Sequence, residues 1–148
     1  MTTRFGIAIL AAALAAALPL CADLKQVQAE ANLEKRSKLA LDNAAALLKQ
    51  AREAYQKGEM DHARGHIDEA VASVEIADQS LVATGKDPRR NPKWFKRAEL
   101  ETRDLIRHIE SLEHEFSYSD RPLLEKLKAK TQQVHDDLLT GLMEGKRK

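Results

Sequence analysis

The sequence predicts an all-α protein, an antiparallel up-down bundle of four long helices. Three observations carry this. Convincing chain breaks are few: Gly58, the stretch from Gly85 to Pro92, and the stretch from Ser117 to Pro122. The segments between them are rich in Ala, Leu, Glu, Lys and Gln, with no alternating β-branched runs. Within each segment apolar residues return every three or four positions, the pitch of a helix with one buried face.

The first segment spans about residues 24–57. Its apolar face is Leu41, Ala44, Ala45, Leu48, Ala51, Ala54 and Tyr55, all in its later part. Residues 23–38 are more polar and are expected to protrude or fray. The second segment, about 60–84, carries Ala63, Ile67, Ala70, Val71, Val74, Ala77 and Leu81 on one face. The third, about 92–117, opens with Asn91 as N-cap and Pro92 at the first helical position. Its stripe of Phe95, Ala98, Thr102, Leu105, Ile109, Leu112 and Phe116 alternates threes and fours without a slip. The fourth, about 121–142, opens at Ser119 or Asp120 with Pro122 in its first turn. It carries Leu124, Leu127, Thr131, Val134, Leu138 and Leu142. Short connections make neighbours in sequence antiparallel.

Ahead of the bundle, residues 1–22 have the build of a signal peptide. Arg4 is followed by an unbroken apolar run from Phe5 to Leu18, broken by Pro19. The run is shorter than the ~20 residues of a permanent membrane span. Cleavage is expected after Ala22, with Ala15-x-Ala17 as a second site. Cys21 offers an alternative as a lipoprotein anchor, although Leu20 is bulkier than a lipobox wants. Cys21 is also the sole cysteine of the chain. Its removal with the leader would exclude disulfides and thiolate chemistry. Residues 23–148 then form a single domain, periplasmic or secreted in a bacterium. Membrane attachment is expected only if Cys21 is lipidated or the leader is retained.

Charge excludes one class of partner. Of 24 basic and 23 acidic residues, only Arg4 precedes Asp23, so the exported domain is formally neutral. No nucleic-acid partner is expected from a neutral, exported domain. Local charge is uneven, however. Residues 59–81 are acidic (Glu59, Asp61, Asp68, Glu69, Glu75, Asp78), whereas 86–97 are basic (Lys86, Arg89, Arg90, Lys93, Lys96, Arg97). Cations at a helix start oppose the helix dipole. Arg89, Arg90, Lys93, Lys96 and Arg97 are therefore a candidate anion site. The competing reading is internal pairing, with Glu75 and Asp78 set against the start of the third helix.

His62 and His66 are four residues apart, one helical turn, with Glu69 on the same flank. The three are a candidate divalent-metal set. Ala63 stands where a zincin motif needs Glu. His108 and His135 flank their seams and His114 faces away. Either flanking histidine could ligate haem, but the chain carries no Cys-x-x-Cys-His and no cofactor is expected. Asp136 and Asp137 are consecutive and diverge on a helix. No nucleophile-elbow or Gly-rich phosphate loop occurs. The chain is therefore read as non-catalytic.

Tyr55-Gln56-Lys57-Gly58-Glu59-Met60-Asp61-His62-Ala63, with Leu47 and Ala51 before it and Ile67 and Ala70 after it, resembles a tetratricopeptide repeat. The likeness covers about residues 42–75. One period later Arg97 stands where Ala63 stood, and no Pro follows near Glu75. The resemblance implies a close helical hairpin and an interaction role. It does not imply a peptide groove, which needs several stacked repeats. The expected function is a protein–protein interaction or scaffolding module of the cell envelope. Its partner would be another envelope protein or a second copy of itself. Metal or small-anion binding is the alternative.

Overall fold

The computed structural model describes residues 24–145. The expected leader, Cys21 and both candidate cleavage sites lie outside them. The described residues are all-helical, with no strand among them: α1 (Leu24–Ala29), α2 (Leu33–Gln56), α3 (Met60–Ala83), α4 (Pro92–Glu115) and α5 (Pro122–Glu144).

The four long helices match the four periodic segments, and the expected seams are buried almost without exception. All seven stripe residues of α3 and all seven from Phe95 to Phe116 lie in the core, as do Leu124, Leu127, Thr131, Val134 and Leu138. The first segment needs two adjustments. Ala45 is exposed, whereas Ala40 and Leu47 are buried. Thr102 and Thr131 are fully buried, and each satisfies its hydroxyl inside its own helix. Thr102 Oγ1 donates to Ala98 O at 2.9 Å, and Thr131 Oγ1 to Leu127 O at 2.7 Å.

The first segment is not one continuous helix. Asn32 caps α2, its Oδ1 accepting from Lys35 N at 3.0 Å, while Asn32 N donates to Glu30 Oε1 at 2.9 Å. The chain thereby turns between α1 and α2, and α1 packs on α2 and α3 with Val27 at 0% exposure. The polar stretch folds back; it does not protrude. Three termini also depart from expectation. Asn91 precedes Pro92 but makes no side-chain cap, α4 stops at Glu115, and α5 begins at Pro122 after a turn through 118–121.

α2 and α3 form a tight hairpin. Small residues line its seam, with Ala40, Ala44, Ala51 and Ala54 on α2 and Ala63, Ala70 and Ala77 on α3, all buried. Gly58 closes the turn at φ +77°. Its N–H donates to Tyr55 O at 2.9 Å and Glu59 N–H to Ala54 O at 2.9 Å, the two bonds of a Schellman cap.

Each long helix has two flanking neighbours. α2 packs on α3 and α4; α5 packs on α4 and α3. α3 and α4, joined in sequence, thus stand at opposite corners, and the 84–91 connection crosses the end of the bundle. Helices consecutive in sequence run antiparallel, while the α2/α4 and α3/α5 contacts join helices running the same way. The end formed by the start of α2 and α4 and the finish of α3 and α5 carries the candidate site.

Candidate functional site

The geometry of that end is set by its turns. α3 ends with Thr84 Oγ1 donating to Leu81 O at 2.6 Å, and Gly85 follows at φ +65°. The connection then winds on Asp87, whose backbone oxygen accepts from Arg90 N at 3.1 Å and Asn91 N at 2.9 Å. Asp87 Oδ1 accepts from Arg89 N at 2.9 Å. Pro88 is buried against α5 where that helix has Gly141; a Cβ there would lie 3.2 Å from Pro88 Cγ. Glycine at 141 thus permits the connection to seat directly on the helix backbone.

Between the ends of α3 and α5 this packing leaves an open cleft of about 280 Å³. Its apolar lining comes from Leu81, Val82, Pro88, Phe95 and Leu138, and it also carries Asp78, Asp137 and Lys86. Val82 is 71% exposed. The Asp78 carboxyl is held above its ordinary range, first by burial and then by the charge of Asp137; Lys130 offsets part of this. Both helices finish here, so their terminal carbonyls add negative partial charge. The cleft is therefore apolar with charged groups of both signs on its wall, Asp78 and Asp137 beside Lys86. Sequence reading missed it because Asp78 and Asp137 are brought together only by the α3/α5 contact.

The five candidate anion-site residues do not form one cluster. Lys93 and Lys96 line a wide recess of about 480 Å³ together with Lys86, Trp94 and Glu34. The Lys93 ammonium sits 5.5 Å from the Trp94 ring centroid. Arg97 pairs with Glu101 at 2.9 Å, and Arg89 lies instead at Gly145. Arg90 is exposed, with Asp87 Oδ2 at 4.0 Å. Lys86 reaches Glu34 at 2.7 Å. Among the described residues Glu75 and Asp78 are not set against the start of α4, because α3 and α4 occupy opposite corners. Glu75 faces Lys130 on α5, at 3.5 Å.

His62, His66 and Glu69 are likewise not gathered into a ligand set. The His62 side chain is 75% exposed, with Nδ1 3.3 Å from Glu59 Oε2, while His66 and Glu69 are half-buried. Among the described residues no group of three or more His, Cys, Asp or Glu side chains converges as a metal site. His108 lines a recess of about 250 Å³ with Lys49 and Arg52, and His114 is exposed. His135 is half-buried, its Nδ1 3.2 Å from Thr102 Oγ1 and 3.8 Å from Glu99 Oε1. Glu99 is itself buried and held by Arg103 one turn along α4. The Glu99–Arg103 spacing was visible in the sequence; the approach of His135 was not.

The chain matches no protein-family model, and comparison with curated proteins and with solved structures likewise finds no match. Among the described residues no helix is long and apolar enough to cross a membrane.

Proposed function

We propose that this protein is a non-catalytic interaction module of the bacterial cell envelope, exported by its leader, and that it engages its partner at the crossed end of the bundle. The observation that carries this reading is the cleft between the ends of α3 and α5. It is a recess of about 280 Å³ that opens to the surface between the two helix ends. Ligand pockets for small organic molecules run roughly 300–1,000 Å³ and bury most of the ligand. An open, apolar recess beside the exposed Val82 suits a protruding side chain of another protein better than an enclosed substrate.

Site-specific photo-crosslinking in the native host tests the reading. A photoreactive residue at Val82 is expected to give a defined protein adduct in the envelope fraction. The same residue at Arg64, on the exposed flank of α3, is the control. Equal adducts at both positions, no adduct at Val82, or a protein retained in the cytosol would overturn it.

The alternative, binding of a small anion, is favoured by the recess holding Lys86, Lys93 and Lys96 at an α4 start without a side-chain cap or an acid in its first turn. Titration with inorganic phosphate should then shift the amide resonances of Lys93 and Trp94, and the shift should vanish in Lys93→Gln/Lys96→Gln. No shift removes this alternative.

A further inference from the structure

Ala45 marks a second recess, on the flank of the bundle. Its spacing puts it in the apolar face of α2, yet it is exposed. A methyl group is too short to fill the seam that α2 makes with α4, and the space left over is the recess of about 250 Å³. The floor is Leu48 and Leu112, both buried. The walls are Lys49 and Arg52 from α2 and His108 from α4, and no acidic residue lines it. Arg52 fixes the register of the two helices: its Nη2 lies 2.8 Å from Glu115 Oε1 and 3.5 Å from Ser111 Oγ. Both contacts fall on Nη2, whereas Arg52 Nε is buried without a hydrogen-bond partner. Lys49 and His108 are exposed, and neither side chain has a hydrogen bond or ion pair among the described residues. The neighbouring acids lie outside the recess. Glu115 pairs with Arg52, Asp104 pairs with Arg107, and Glu53, one turn beyond Lys49, is exposed and makes no ion pair.

A leucine floor with cations on its rim selects a ligand divided in the same way, one anionic group on an apolar body. Inorganic phosphate gains nothing from the floor, and an uncharged hydrocarbon gains nothing from the rim. A carboxylate matches the planar fork of an arginine and the point charge of a lysine. We propose that this recess binds a small aliphatic carboxylate. The carboxylate sits among Lys49, Arg52 and the His108 ring N–H, and the chain lies on Leu48 and Leu112. Use of Arg52 Nε requires the guanidinium to turn, because that atom is covered. The Arg52–Glu115 pair is exposed and therefore weak enough to give way. The ligand is held by charge on an open surface, so its binding is salt-dependent. Roughly 18 Å of helix separate His108 from Lys96, so this site is distinct from the basic recess at the start of α4. It is equally distinct from the cleft beside Val82 and does not rest on the proposed interaction role.

Titration of the isotope-labelled protein with hexanoate, hexanol and inorganic phosphate, followed through its amide resonances, tests the site. Hexanoate is expected to shift the resonances of Lys49, Arg52 and His108 saturably. It should bind there at least about tenfold more tightly than hexanol or phosphate, because hexanol lacks the charged hydrogen bonds and phosphate lacks the apolar contact. Lys49→Glu/His108→Ala changes only exposed side chains, so the fold is kept, and it should weaken hexanoate by at least about tenfold. Lys93→Gln/Lys96→Gln should leave hexanoate binding unchanged. Raising salt from roughly 0.05 to 0.5 M should weaken it. Absence of a saturable shift at these residues overturns the proposal, as does phosphate or hexanol binding there as tightly as hexanoate. Undiminished binding by Lys49→Glu/His108→Ala, or at high salt, overturns it as well. Loss of binding in Lys93→Gln/Lys96→Gln would place the anion at the start of α4 instead, and would overturn it too. The Val82 adduct reads the interaction role separately, so either idea can fail while the other stands.

Discussion

The Tyr55 hydroxyl accepts a hydrogen bond from the Ser117 backbone N–H at 2.8 Å and thereby ties the end of α2 to the α4–α5 connection. The same hydroxyl donates to Asp120 Oδ2 at 3.0 Å, which also accepts from Ser117 Oγ at 2.6 Å. The Tyr55 ring stacks on Phe116, with centroids 3.8 Å apart and planes 13° from parallel. Tyr55→Phe keeps the stack and removes both hydroxyl bonds. It is expected to cost about 1–2 kcal/mol, since one backbone donor and one carboxylate lose a partner. Urea unfolding at neutral pH measures this. Unchanged stability would show that water replaces the hydroxyl without cost.

Two glycines in the α2/α3 hairpin should respond with opposite sign. Gly58 sits at φ +77°, so Gly58→Ala is expected to destabilise by about 1–2 kcal/mol. Gly65 lies inside α3, and a Cβ there meets nothing within 4 Å. Gly65→Ala should stabilise by about 0.5–1 kcal/mol through helix propensity. Thermal melts of the two variants compare them directly, and destabilisation by Gly65→Ala would contradict this account.

A buried polar pair crosses the hairpin seam. Asn43 Nδ2 donates to Ser73 Oγ at 2.9 Å, and Ser73 Oγ donates to Glu69 O at 3.0 Å. Ser73→Ala leaves the Asn43 amide without this partner and is expected to cost about 1–3 kcal/mol. The double variant Asn43→Leu/Ser73→Ala should cost less than Ser73→Ala alone, because the unmatched donor goes as well. A double-mutant cycle gives the coupling, expected at roughly 0.5–3 kcal/mol. Simple additivity would show that the two side chains act independently.

Stability should carry a pH signature from Asp78. Its pKa is raised from the ordinary 3.8, chiefly by burial and then by Asp137. The folded state therefore binds more protons than the unfolded one just above pH 3.8, and Asp78's contribution to stability falls as pH rises through that window. Below 3.8 both states are protonated and its effect vanishes. Glu101, raised from 4.5 mainly by burial, acts with the same sign. Asp78→Asn is expected to raise the melting temperature at pH 7 and to leave it nearly unchanged well below pH 3.8. An equal gain at both pH values would assign the effect to packing.

Helix number, helix type and the buried face of each long helix were legible in the sequence, because the three-to-four spacing is a local property that every helix repeats along its length. The stripe from Phe95 to Phe116 shows this most clearly, since every member is buried. The break before α2 was harder to see. Asn32 interrupts the helix with neither Gly nor Pro, and its cap gains its meaning from the burial of Val27 against α2 and α3.

The sequence by itself thus determined four apolar ribbons and the turns that separate them. Tertiary structure alone decided which ribbons became neighbours. It set α3 diagonal to α4, moved Glu75 away from the basic run to Lys130, and brought Asp78 beside Asp137. The physical reason is that burial of apolar surface is non-directional: each ribbon gains from covering any of the others, so their arrangement follows from how all four side-chain layers fill the core at once.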